Sequence, residues 1–181
     1  MNVILDNNNF SIENIFFLEK TNNVIIDGFF SKIIVSDAYF TMNGLFLDLP
    51  LLVNESSMVN QYNKQIISFN SHIQQNLLLI TKISEIENSI LHYYKKIHDL
   101  KKKTTLVLST QLFNGYFKIY KENGYFSNHR EDISNGNVVN KHCKLDHIMP
   151  KSNKKYIIKI SGLWENKEEV GISYKFIEVT S

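Results

Sequence analysis

The densest chemistry in the chain is the hexad Tyr116-Phe117-Lys118-Ile119-Tyr120-Lys121. In an extended strand successive side chains point to opposite faces, so Tyr116, Lys118 and Tyr120 share one face and Phe117 and Ile119 take the other. A face of rings and ammonium groups suits single-stranded nucleic acid. Bases stack on the rings for ~1–3 kcal/mol each, and lysines neutralise the phosphates. The alternative is the ordinary wet face of a sheet. Lys121, the run Lys101, Lys102 and Lys103, and Lys155 and Lys159 offer further cations to track the backbone. Trp164 can stack a base or plug a core. Strict alternation puts Tyr156 and Lys159 on opposite faces of their own strand.

Other constellations offer less. His142, Cys143, Asp146 and His147 include zinc-ligand types but lack the paired spacing of a structural site, so no metal is assigned. His92 and His98 are six apart on a helix and cannot share a face. Cys143 has no apolar or glycine-bearing frame, and no GxSxG, GxGxxG or GxxxxGK[ST] pattern occurs. A catalytic role and a cofactor are therefore not expected.

The charge is unevenly spread. The net charge is +2, but residues 1–94 carry 4 basic and 9 acidic side chains, residues 95–159 carry 14 and 5, and residues 160–181 carry 2 and 4. The chain has one arginine, Arg130, and one alanine, Ala38, with abundant Asn, Ile and Lys, the signature of an AT-rich genome. Such a bias acts along a whole gene and does not explain why lysines crowd into one third of it. A cationic surface for phosphates or another acidic partner does, as do solvated loops at the end of a long helix. The 181 residues are 43% hydrophobic and 21% charged, with 2 Pro and 7 Gly, which excludes disordered and collagen-like chains. No apolar run exceeds four residues, as at Leu77 to Ile80, where a membrane helix needs about 20. Asp6 and Glu13 precede the first lysine, Lys20, unlike a signal peptide, and the single Cys143 suits a reducing compartment. A soluble intracellular protein of one domain, with no membrane partner, is expected.

The elements that would position the hexad follow from periodicity. Asn14 to Thr21, Val24 to Asp27 and Phe29 to Phe40 are rich in β-branched and aromatic residues, and Asp27-Gly28 and Asn43-Gly44 read as turns of an antiparallel meander. Phe29, Ile33 and Val35 would share a face, and Pro50 would end the strand from Leu45 or mark an edge. Lys64 to Phe69 reads as a further strand. From about 71 to 100 there is no Gly or Pro, and Leu79, Ile83, Ile86, Ile90, Tyr94 and Ile97 fall on one helical stripe, widened by Ile73, Leu77 and Ile80. The stripe can pack on the chain's own sheet or meet a coiled-coil partner. Thr105 to Ser109 and Tyr116 to Lys121 read as strands about an Asn114-Gly115 turn or bulge. Residues 122–154 read as an internal mobile loop, and Tyr156 to Ser161 and Ile172 to Val179 as closing strands around a Trp164–Gly171 turn. The fold class expected is α+β: mainly antiparallel β, as an oligonucleotide-binding-like barrel or a meander sheet, with one long helix at about 71–100 packed on it.

Lys159-Ile160-Ser161-Gly162-Leu163-Trp164-Glu165, followed by Gly171-Ile172-Ser173-Tyr174-Lys175-Phe176, resembles the closing strands of small proteins of large nucleocytoplasmic DNA viruses. Weaker echoes lie at Tyr39 to Gly44, Ile86 to Tyr94 and Gln111 to Tyr120. Some such proteins resemble single-stranded-DNA-binding proteins built on an oligonucleotide-binding barrel with an inserted helix. The resemblance implies nucleic-acid binding without catalysis, in viral DNA replication in the host cytoplasm, with replication or transcription proteins or self-association as further partners. The alternative is a virion structural or scaffold protein acting through protein contacts.

Overall fold

A computed structural model describes residues 3–23, 25, 27–61, 64–120 and 154–179, with 54–61 described by backbone alone. The strands are β1 (Ile15–Phe17), β2 (Thr21–Asn23), β3 (Gly28–Ser36), β4 (Thr41–Asn43), β5 (Leu45–Asp48), β6 (Val53–Gln61) and β7 (Lys64–Phe69), then β8 (Lys103–Thr105), β9 (Tyr116–Tyr120), β10 (Lys155–Glu165) and β11 (Glu169–Val179). Helix α1 (Gln74–Ile97) lies between β7 and β8, and α2 (Val107–Phe113) between β8 and β9. The proposed loop 122–154, except Lys154, lies outside the described residues, as do Lys121 and the His142, Cys143, Asp146, His147 group.

The expected α+β class holds, but the sheet is neither a closed barrel nor a meander. Among the described residues, eleven strands form one open sheet in the order β1-β3-β10-β11-β9-β7-β6, with β2 and β4 on β3, β5 on β10 and β8 on β11. Most pairs are antiparallel, while β8 and β9 both run parallel to β11. The C-terminal hairpin sits at the centre because β10 is apolar on both faces: Tyr156, Ile157, Ile158, Ile160 and Leu163 are all buried. A strand covered on both sides reads as a continuous apolar run, which a meander edge strand does not. Both closing strands run longer than expected, so the turn shrinks to Asn166–Glu168, where Asn166 Oδ1 accepts the N–H groups of Glu168 and Glu169. At Asn43-Gly44 the chain changes partners instead of folding back: β4 pairs with β3 and β5 with β10.

The helix stripe packs on the sheet, with Ile80, Ile83, Ile86, Ile90 and Tyr94 buried. Ile73, Leu77 and Ile97, expected on it, are exposed. In β3, Ser31, Ile33 and Val35 are buried, whereas Phe29, expected beside them, is exposed. A second correction concerns Thr105 to Ser109. Only β8 is extended there, and the chain then turns into α2, which ends at Asn114 with Gly115 beyond it at φ +74°. Gly115 N–H returns to the Leu112 carbonyl at 2.9 Å, so the Asn-Gly pair closes a helix through a left-handed glycine.

Candidate nucleic-acid interface

Strand β9 alternates as expected. Phe117 and Ile119 are buried in the core, Tyr116 and Lys118 are partly covered, and Tyr120 is 69% exposed. Register then adds what alternation in one strand cannot. Phe176 pairs with Ile119, which sets Lys175 beside Lys118, and Lys175 pairs directly with Lys159. Three neighbouring strands therefore carry a row, Lys159, Lys175, Lys118, with backbones about 4.8 Å apart. Tyr116 and Tyr120 flank the row on β9, and Lys64 of β7 faces Tyr120. Lys118 Nζ lies 5.4 Å from the centre of the Tyr116 ring, and Lys159 Nζ 5.0 Å from that of Phe46. Among the described residues, none of these four lysines has a carboxylate within ion-pair distance, whereas Lys20, Lys82, Lys102, Lys103, Lys154 and Lys167 all do.

Beside the row a groove of about 530 Å³ opens between β9, β11 and α2, reached by Tyr116, Lys118, Tyr120 and Lys175. It exists because β8 and β9 take the same edge of β11 at Glu169 to Gly171 and at Phe176, leaving residues 172–175 without a strand partner on that side. Helix α2 fills the interval. Its N-terminus has no local side-chain cap; instead the buried Glu87 of α1 accepts the N–H groups of Leu108 (3.1 Å) and Ser109 (2.8 Å) and the Ser109 hydroxyl. A carboxylate there satisfies orphan donors and complements the helix dipole. Tyr174 reaches α2 from β11, its hydroxyl donating to Gln111 Oε1 at 2.5 Å.

The remaining sequence candidates do not join this surface. Lys102 is partly buried on Glu165 (3.3 Å), which also holds Lys20 (2.7 Å). Burial alone would lift the Glu165 carboxyl, but the hydrogen bond and charge of Lys20, then those of Lys102, outweigh it and hold the group below its ordinary range. Lys103 pairs with Glu169, and Lys101 is exposed in the same short segment. Lys155 lies at the far end of β10, near Asp48 and Lys82. Trp164 is half-buried on the hairpin: its indole N–H donates to the Ile172 carbonyl at 3.1 Å, and its ring covers Gly171 so closely that a Cβ there would collide with it. Tyr156 packs edge-on against Phe117 in the core. Lys64, Lys175, Gln111 and Tyr174 were missed, because only strand pairing and the turn into α2 bring them to β9. Tyr174-Lys175 repeats the pairing of a ring with a cation, although as adjacent residues they point to opposite faces of β11.

Comparison with protein-family models, with curated proteins and with solved structures gave no match for this chain.

Proposed function

We propose that the protein is a non-catalytic single-stranded nucleic-acid-binding protein and that the strand lies along the lysine row of β10, β11 and β9. The observation that carries this is the Lys159, Lys175, Lys118 row, without a carboxylate partner among the described residues and flanked by Tyr116 and Tyr120. Lys159 opposite Lys175 is a like-charge cross-strand pair, which weakens a sheet unless an anion comes between. Tyr120 offers a stacking ring to solvent. The setting implied by the sequence resemblance, viral DNA replication in the host cytoplasm, belongs to the same proposal. Fluorescence anisotropy of the purified chain with labelled single-stranded and duplex oligonucleotides at several salt concentrations tests it. Four engaged lysines give a logarithmic salt slope of about −2.8 on single strands, from ~0.7 per phosphate. Absence of binding at low salt would falsify the proposal.

A second reading, a virion or scaffold protein acting through protein contacts, is favoured by one other observation. Ile73, Leu77 and Leu78 at the start of α1, with Leu52, are exposed apolar side chains. Salt-independent self-association in sedimentation would support that role.

A further inference from the structure

One wall of the groove is polar and fixed in orientation. Gln111 is partly buried on α2, and its Oε1 is the nearer acceptor for the Tyr174 hydroxyl, at 2.5 Å against 3.3 Å to the Val107 carbonyl. That contact occupies the carbonyl end of the amide and leaves the Nε2 amino group to meet a ligand as a donor. Tyr174 keeps its proton throughout the neutral range, since burial, then Glu87, then Tyr116 push its hydroxyl up to about 12. The helix carrying Gln111 is anchored at its first turn by Glu87. Thr105 also lines the groove, with its Oγ1 sealed from solvent. The volume is within the range of pockets that hold a small ligand, about 300–1,000 Å³.

We propose that this groove seats one nucleobase of the bound strand and that Gln111 selects keto bases (thymine, uracil, guanine) over amino bases (adenine, cytosine). The inference rests on the single-strand reading above. A keto base presents a carbonyl oxygen beside a ring N–H. Gln111 Nε2–H donates to the first, and Tyr116 on the adjoining wall offers its ring. An amino base reverses the pattern: its exocyclic NH₂ meets the Gln111 NH₂, two donors face each other, and both lose water without gaining a partner.

The test titrates the full chain with labelled oligo-dT, oligo-dC and oligo-dA of one length at low salt. Oligo-dC is the sharper comparison with oligo-dT, because both are pyrimidines and differences in stacking stay small. Wild type is expected to bind oligo-dT about tenfold tighter than oligo-dC. Gln111→Glu puts an acceptor where the amino group was, and should bring oligo-dC level with oligo-dT or above it. Tyr174→Phe frees the amide to rotate and should narrow the ratio while oligo-dT binding stays within about threefold. Circular dichroism establishes that each variant is folded, and Tyr174→Phe serves if Gln111→Glu is not. Equal binding of the oligonucleotides by wild type, or a ratio that neither variant moves, overturns base selection and leaves the single-strand reading standing. No binding of any oligonucleotide overturns both.

Discussion

Lys118, Lys159 and Lys175 matter less for their number than for their company. The β10–β11 hairpin is not short of acids: Glu165, Glu169 and Glu178 all lie on it, yet they neutralise Lys20 and Lys102, Lys103, and Lys154. The one directly facing charged pair of the hairpin is lysine on lysine, at a cost of about 0.2–1 kcal/mol if nothing lies between. A row kept for packing would be improved by replacing either partner; a row kept for phosphates would not. Replacing Lys118 and Lys175 together by alanine should therefore lower the magnitude of the salt slope by ~1.4 and weaken single-strand binding. The same substitution relieves the repulsion with Lys159, so the urea midpoint should hold or rise. Lys103→Ala, which removes an equal charge already paired with Glu169, should leave the slope unchanged. A drop in binding accompanied by a drop in stability would instead assign these lysines to the fold.

Helix α2 is the element on which the groove depends, and its stability is borrowed from α1. At seven residues it is too short to persist alone, and no residue near Leu106 caps it. Glu87, twenty residues upstream, holds its first turn through two N–H groups and the Ser109 hydroxyl. Glu87→Ala should cost about 3 kcal/mol in urea unfolding, from charged hydrogen bonds lost and buried donors left unpaired. Stopped-flow or proteolysis of the variant should place the first opening in 105–115, ahead of the sheet. A variant that unfolds at the wild-type midpoint would mean the cap is supplied elsewhere. This distance in sequence also explains the misreading of the segment. Thr104-Thr105-Leu106-Val107-Leu108 has the β-branched look of a strand, and what turns it into a helix is a carboxylate on another element. The long helix and the closing strands were legible because periodicity and apolar runs are local properties, as was the inward and outward alternation of β9. Strand order was not. Parallel pairing of β8 and β9 with β11 leaves no mark on any one strand, so Lys175 and Gln111 could not be set beside Tyr116 before the sheet was assembled.

Across the whole molecule, Glu165 ties together segments far apart in the chain. It ends β10, receives Lys20 from the β1–β2 connection and Lys102 from the lead into β8, and stands near Tyr94 and His98 at the end of α1. Tyr94 is edge-on to Phe17 and 4.5 Å from the His98 ring, with Lys20 Nζ 5.5 Å from its own ring, so the knot joins aromatic packing to charge. Its two titrating members pull stability in the same direction. His98 lies below its ordinary 6.5 because burial, then Lys20, disfavour its cation, against a smaller opposing effect of Glu165. The unfolded chain thus takes up that proton first, and stability fully present above 6.5 is lost as pH falls toward the folded value. Glu165 is also depressed in the folded state, so its contribution is complete above the ordinary glutamate value of 4.5 and is lost as pH falls through the folded value below it. Acid weakening should therefore come in two stages, one starting near neutrality and one below 4.5. Urea midpoints measured from about pH 7.5 to about pH 3.5 separate them. Wild type should lose ground to His98→Leu over the upper half of that range and to Glu165→Gln over the lower half. Glu165→Gln should be the less stable protein at neutral pH, because it leaves Lys20 and Lys102 without their carboxylate. A wild-type midpoint that tracks His98→Leu in parallel through the upper range would remove His98 from the account and leave the acid response to the carboxylates alone.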